Sequence, residues 1–142
     1  MKIWQHEFTL EGLQNTSANT LAETLGIHYS AFGDDFLQAT MLVSPATVQP
    51  MRILHGGASV ALAETIGSVS SALCLPDMAE YYAVGLDINA NHIRSAHEGD
   101  TVTATCRAYH IGRTTHIWNI EIHDSKGRLV CVSRLTMAIV KR

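Results

Sequence analysis

The sequence predicts an α+β fold in which an antiparallel sheet is wrapped around one long central helix. Residues 57–75 are rich in Ala and Leu and almost uniformly apolar, and a helix that is apolar on nearly every side is buried. Before and after this segment, apolar and polar residues alternate with the period of two that is typical of strands. A sheet that packs against one buried helix is the arrangement that these observations favour.

The beginning of the chain is predicted to form two short helices followed by two strands. Residues 9–13 and 19–25 each begin at a residue type that caps helices, and Gly26 is a typical stop. Alternating residues then predict strands over residues 27–32 and 36–43, joined by a Gly-Asp-Asp turn.

The rest of the chain is predicted to contain the long helix and four more strands. The helix is predicted over residues 57–75, because Pro76 and Asp77 end the apolar run. At a rise of ~1.5 Å per residue it would span ~28 Å, which is enough to cross a domain. The period of two then returns, and it predicts strands over residues 82–94, 101–110, 115–123 and 129–140.

Length and composition favour a single domain over residues 1–142. The cysteines and the start of the chain favour a cytoplasmic protein. Hydrophobic residues make up 46% and charged residues 16%, an ordinary globular balance. The net charge of −3 argues against nucleic acid as a partner, since that needs a clustered cationic face. No apolar signal segment or run of 18 apolar residues points to a membrane. The three cysteines, without CxxC spacing, are expected to be reduced and buried.

Glu64 is the only acidic or basic residue in the long helical segment. A carboxylate is rarely buried without a partner, so its place needs an explanation. Two structural explanations are open: the helix turns Glu64 to solvent, or Glu64 pairs with a buried arginine such as Arg94 or Arg134. A catalytic explanation is also open, because Ser68 lies four residues on and shares a helix face with Glu64.

The start of the helix predicts a site for developing negative charge. His55-Gly56-Gly57 leads into the helix, so the first backbone N–H groups have no acceptors within it. Such amides stabilise an oxyanion. In thioester hydrolysis, the Gly56 N–H would polarise the carbonyl with help from Gln49 or His55. Glu64 would attack that carbonyl or act as general base on a water, without a metal or cofactor.

Other kinds of chemistry have little support in the sequence. None of the eight histidines forms a helical HxxxH or a Cys/His pair with zinc spacing, so a metal site is not expected. His116 and His123 are predicted to face water from a strand. A serine triad and a dinucleotide site are also not expected, since GxSxG and GxGxxG are absent.

Three segments resemble the hotdog-fold thioesterases that act on aromatic acyl-CoAs: QPMRILHGGASVALAETIGSVSSALCL, VGLDINANHIRSAHEGD and HIGRTTHIWNIEI. The resemblance is strongest to the 1,4-dihydroxy-2-naphthoyl-CoA hydrolases, and extends to 4-hydroxybenzoyl-CoA and enterobactin-pathway proofreading thioesterases. It covers residues 10–140. It implies a hotdog fold and hydrolysis of an aromatic acyl-CoA, with 1,4-dihydroxy-2-naphthoyl-CoA of menaquinone biosynthesis as one substrate.

The resemblance also implies roles for individual residues. Glu64 would be nucleophile or base, Gly56 the oxyanion amide, Gln49 and His55 neighbours of the carbonyl, and Ser68 a neighbour of the acyl group. The residues implied to bind substrate or coenzyme A are Gly85, His92, Ile93, Arg94, Ser95, His110, Ile111, Gly112, Arg113, Thr114 and Thr115.

The implied contacts with coenzyme A can also be judged from the residue types. Arg94 and Arg113 suit phosphate groups, and Gly112 allows close approach to the backbone, although HIGRTT is equally explained as a hairpin turn with a solvated arginine. The family shares its site across a dimer, and two dimers usually form a tetramer. One departure is Met51-Arg52, where an aromatic residue is expected after Pro50; it leaves the acyl pocket in question.

Three functions remain as alternatives to an aromatic acyl-CoA hydrolase. One is a proofreading or broad-range thioesterase acting on acyl-CoA or acyl-carrier thioesters. Another is a hotdog hydratase of enoyl thioesters, for which His55 is the candidate base. The third is a non-catalytic acyl-CoA-binding module, which needs no acid on the helix. The acyl group itself is not determined by the sequence.

Overall fold

The computed structural model describes all residues from Met1 to Arg142 and confirms the predicted α+β fold. The helices and strands, in chain order, are α1 (Leu10–Thr16), α2 (Leu21–Leu25), β1 (Ile27–Phe32), β2 (Phe36–Leu42), α3 (Gly56–Leu73), β3 (Tyr81–His92), β4 (Thr101–Ile111), β5 (Thr115–His123) and β6 (Leu129–Lys141). The six strands form one antiparallel sheet in the order β1-β2-β4-β5-β6-β3, so β1 and β3 are its edges.

The long helix α3 packs against every strand except β1. Leu62 and Ile66 on its sheet-facing side are fully buried, as are Trp118 and Leu135 on the strands beneath. Each such side chain stabilises the fold by about 1.5–3 kcal/mol relative to exposure. A Cβ on Gly67 would lie 2.4 Å from Leu135 Cδ2, so helix and sheet approach closely at this glycine. No helix in the chain is both long and apolar enough to cross a membrane.

The long helix ends two residues earlier than the sequence predicts. The amides of Cys74 and Leu75 bond to carbonyls three residues back, Ser71 O at 3.1 Å and Ala72 O at 3.2 Å, and this tightening ends the α-helix after Leu73. The carbonyl of Leu73 accepts from the amide of Gln5 at 2.9 Å, so the N-terminal segment covers the helix end.

The three cysteines are free and buried, as predicted. Burial raises the pKa of the Cys74 and Cys106 thiols to about 12. Both thiols are therefore protonated and unreactive at neutral pH.

Candidate active site

The start of α3 leaves one backbone amide without an acceptor. His55 precedes the helix, and its Nδ1 accepts from the Gly57 amide at 2.8 Å. The amides of Ala58 and Ser59 bond to the His55 carbonyl at 3.0 and 3.2 Å. The Gly56 amide donates to no atom of the chain. A single N–H at the positive end of an eighteen-residue helix is thus free to bind an oxyanion.

The hydrogen bond to Gly57 also assigns the tautomer of His55. Because Nδ1 accepts a proton from an amide, the hydrogen of the neutral ring is on Nε2. That nitrogen can donate a hydrogen bond, and neither nitrogen is available as a base. His55 faces an apolar groove of about 290 Å³ between α2 and α3, lined among others by Leu21, Leu25 and Ala61.

Gln49 lies in a tight loop before α3, with one side of its carboxamide already bonded. Its backbone amide donates to Ile53 O at 2.9 Å, and its Oε1 accepts from the Met51 amide. The carboxamide NH₂ has no partner in the chain, so it is the end that can donate to a ligand.

The structure of the loop partly explains why Met51 and Arg52 follow Pro50, where the family resemblance predicts an aromatic residue. Arg52 has a positive φ of 60° and holds Glu98 through two hydrogen bonds of 2.7 and 2.6 Å. Arg52 therefore anchors the loop to the segment before β4. Met51 is 73% exposed and contributes no wall to a pocket of this chain.

A cavity of about 290 Å³ joins the helix start to the end of β3. Gln49 and Gly56 line it together with the consecutive residues His92, Ile93, Arg94 and Ser95. Ser59 also lines it, although its sequence context gave no signal for this. A Cβ on Gly56 would lie 3.0 Å from His92 Nε2, so the absent side chain lets His92 lie over the helix start.

Glu64 lies on the exposed stripe of α3 and has no salt bridge or hydrogen bond in the chain. The expectation that this helix is buried on all sides is therefore wrong for the single chain, because α3 packs its other side on the sheet. Neither Arg94 nor Arg134 pairs with Glu64, which excludes that structural explanation. Ser68, one turn on, contacts Met137 Sδ of β6 at 3.8 Å.

Segment 110–115 contains the end of β4, the turn of residues 112–114 and the start of β5, which confirms the predicted turn. The Gly112 amide donates to Thr115 O at 2.9 Å. A Cβ on Gly112 would lie 2.4 Å from His110 Nε2 and 3.0 Å from Thr115 O, so any side chain here would force the His110 ring to move. Arg113 is exposed and has no ion pair.

The predicted site residues divide into two groups at opposite ends of β3. Cross-strand pairing places Gly85 opposite Met137 and Met137 opposite His116, so Glu64, Ser68 and the turn lie near the Gly85 end. Gln49, Gly56 and the segment 92–95 lie at the His92 end. Roughly 23 Å of strand separates Gly85 from His92 at about 3.3 Å per residue.

The prediction that His116 faces water is wrong. Its side chain is only 2% exposed, and its Nδ1 lies 3.1 Å from Ser71 Oγ. Trp118 Nε1 donates to the same hydroxyl at 2.6 Å, so the Ser71 hydroxyl contacts both buried rings. Burial lowers the pKa of His116, and a backbone hydrogen bond with Gly112 partly opposes this.

The burial of His116 could have been found in the alternation of β5. His116 has the same parity as Trp118, Ile120 and Ile122, which all face the core. His123 has the opposite parity, and its Nε2 lies 3.7 Å from the Glu121 carboxylate at the surface.

Known proteins resemble this chain over nearly its full length. The model of the thioesterase superfamily matches residues 51–131. The 1,4-dihydroxy-2-naphthoyl-CoA hydrolase of Escherichia coli is 50% identical, with 97% of this chain and 99% of that protein covered. A proofreading thioesterase of Cronobacter turicensis is 46% identical, with 97% and 98% covered.

Solved structures agree with the sequence relatives. A crystal structure of a mutant thioesterase from Pseudomonas aeruginosa has a TM-score of 0.96 and 45% identity, with 99% of this chain and all of that chain covered. A thioesterase from Haemophilus influenzae has a TM-score of 0.93 and 47% identity, with 98% and 95% covered. The chain therefore belongs to the thioesterase superfamily and is a hotdog-fold acyl-CoA thioesterase.

Proposed function

We propose that this thioesterase hydrolyses an aromatic acyl-CoA, with the Gly56 amide binding the thioester oxygen and Glu64 driving the attack. The observation that carries the proposal is the pair of unpartnered groups on α3, the free Gly56 N–H and the free Glu64 carboxylate. 1,4-Dihydroxy-2-naphthoyl-CoA is the first candidate substrate, because it is the substrate in the name of the Escherichia coli relative. Its use would place the protein in menaquinone biosynthesis.

The proposed chemistry needs only groups of the protein and water. The thioester oxygen accepts from the Gly56 amide and from the Gln49 carboxamide, so the negative charge of the tetrahedral intermediate is stabilised. In one route Glu64 takes a proton from a water whose oxygen attacks the carbonyl carbon, and returns that proton to the departing sulfur. In the other route Glu64 attacks the carbon and forms an anhydride, which water then hydrolyses.

The two groups of site residues support a site shared between two copies of the chain. Within one chain, about 12 Å of helix separates Gly56 from Glu64, too far for both to act on one carbonyl. The β3 edge is unpaired and exposes Tyr82 (40%), Val84 (43%) and Leu86 (65%), and such an apolar edge favours pairing with another strand. We propose antiparallel β3–β3 pairing about a two-fold axis, which brings the Gly85 end of each chain to the His92 end of the other.

Coenzyme A would then contact both chains of the dimer. The segments 92–95 and 110–115 lie at opposite ends of β3 in one chain but at the same end across the proposed pair. Arg94 and Arg113 are both exposed without ion pairs and suit the phosphate groups. Association of two such dimers into a tetramer is part of the same proposal, on the resemblance alone.

Two of the alternative functions, the hydratase and the non-catalytic module, are less well supported. A hydratase needs a base, and His55 is its candidate. Because Nδ1 of His55 accepts from the Gly57 amide, the hydrogen of the neutral ring is on Nε2, and neither nitrogen can act as that base. A non-catalytic binding module needs no acid group on α3, whereas hydrolysis uses Glu64.

The test is thiol release from a panel of CoA thioesters with naphthoyl, hydroxybenzoyl, phenylacetyl and medium-chain acyl groups. We expect Glu64→Gln to lower kcat by about 10³-fold or more on the preferred ester. Glu11→Gln in α1 is the matched control and should hydrolyse like the unchanged protein. Full turnover by Glu64→Gln would overturn the proposed role of Glu64, and a clear preference for aliphatic esters would overturn the proposed substrate class.

A further inference from the structure

Gly85 is a strand glycine whose backbone conformation does not require glycine. A glycine weakens a strand, because it offers no side chain to pack and loses more entropy on folding. The glycines with positive φ are Gly26, Gly99 and Gly127, and Gly85 is not among them. The register between β3 and β6 shifts between Gly85 and Asp87, but a bulge whose glycine is not left-handed accepts other residues.

Space at Gly85 does explain the glycine. A Cβ built at this position would lie 2.8 Å from Glu64 Oε1, closer than real Cβ atoms approach any neighbour. The next neighbour, Met137 Sδ at 3.9 Å, is at ordinary contact distance. The Glu64 carboxylate therefore occupies the place that a side chain on β3 would take.

We propose that Gly85 is a positioning residue for the hydrolysis, a notch in β3 that fixes where the Glu64 carboxylate lies. Since no hydrogen bond or ion pair within the chain orients Glu64, contact with the strand is what limits its range. The inference rests on the proposed catalytic role of Glu64. It differs from a substrate contact, because Gly85 acts through the carboxylate.

The geometry sets what Gly85→Ala should do. The atom that the new methyl group meets is the far end of a flexible side chain, so the carboxylate moves and the backbone stays. We expect the variant to fold and to keep its KM, while kcat falls about 10–100-fold because a catalytic group displaced by an ångström loses that much.

A double-mutant cycle tests the notch directly. The side chain in Glu64→Asp is one methylene shorter and does not reach the new methyl group. We expect Gly85→Ala to lower kcat by about 10–100-fold with Glu64 present, and less than about two-fold in the Glu64→Asp background. Equal losses in both backgrounds, or no loss with Glu64 present, would overturn the proposal.

Two further measurements distinguish a specific effect of Gly85 on Glu64 from a nonspecific effect of any substitution in β3. Asn89→Ala changes an exposed residue of the same strand and should leave kcat unchanged; a loss as large as that of Gly85→Ala would mean that any change in β3 is harmful, and would overturn the notch. Circular dichroism measures the folded fraction of each variant, and kcat is calculated per folded chain. A Gly85→Ala chain that does not fold also overturns the proposal. If Glu64→Gln keeps full turnover, the proposed function fails whatever Gly85 does.

Discussion

Gly56 and Glu64 lie on the same helix more than two turns apart, the first with a free amide and the second with a free carboxylate. About 12 Å of helix lies between them at 1.5 Å per residue. One helix thus carries both groups to which we assign thioester hydrolysis, at a spacing that prevents them from acting on the same carbonyl.

Removing the Gly56 amide should abolish oxyanion binding without breaking the helix. Proline is accepted at the first helical position, where the amide has no helical acceptor, and His55 already has the extended ψ of 130° that proline requires before it. We expect kcat of Gly56→Pro to be about 10²–10³-fold below that of Gly56→Ala, which adds the same Cβ but keeps the N–H. Equal steady-state rates for the two variants would rule out the amide as the oxyanion donor.

Two inactive variants should restore activity when their subunits are mixed. A dimer of one Gly56→Pro chain and one Glu64→Gln chain has one intact site and one doubly damaged site. After statistical exchange we expect about a quarter of the unchanged activity, measured after refolding the mixture from urea. Mixing a Gly56→Pro/Glu64→Gln chain with the Glu64→Gln chain is the control and should restore nothing. Complementary variants that stay inactive together would contradict the shared site.

A negative charge on the β3 edge should have two effects: it should separate the subunits, and it should abolish turnover. Leu86 is 65% exposed in the single chain, and a glutamate there would be buried without a partner in the proposed pair. We expect Leu86→Glu to sediment as a monomer and to lose thioesterase activity. Leu42→Glu, at the end of β2 and 50% exposed, is the control and should do neither. A dimeric, active Leu86→Glu protein would place the interface elsewhere.

Arg113 should matter only for substrates that carry the phosphates of coenzyme A. We expect Arg113→Ala to raise KM for an acyl-CoA about tenfold, equivalent to one lost phosphate contact. The same acyl group on N-acetylcysteamine, which has no phosphate, is the matched control substrate and should show no change. A rise in KM for both substrates would mean that Arg113 supports the turn and does not bind phosphate.

His116 should make stability fall as the pH drops below about 6.5. Burial lowers the pKa of its imidazole in the folded chain, so below the unfolded value the unfolded chain binds a proton that the folded chain does not. The free energy of unfolding then falls by at most about 1.4 kcal/mol per pH unit for this group. The free energy of unfolding from urea titrations between pH 5 and 7.5 should depend less steeply on pH for His116→Gln than for the unchanged protein, and equal slopes would contradict the prediction.

Much of the fold could be predicted from local patterns. The apolar run that begins after His55 and the period-two segments around it are properties of neighbouring residues, and they identified all three helices and all six strands. The boundaries shifted where a contact from a distant residue competes, as where Gln5 caps the Leu73 carbonyl or where Ile93 and Arg94 both bond to Val130 O.

The candidate site was only partly predictable. The sequence by itself determined that a carboxylate stands in an apolar helix after a glycine-rich start, because both features are local. It could not determine that α3 turns Glu64 outward toward Gly85, that His116 is held by Ser71 in the core, or that the site residues divide between the two ends of β3. Those facts depend on which strands lie side by side, and pairing between distant strands is set by packing of the whole chain.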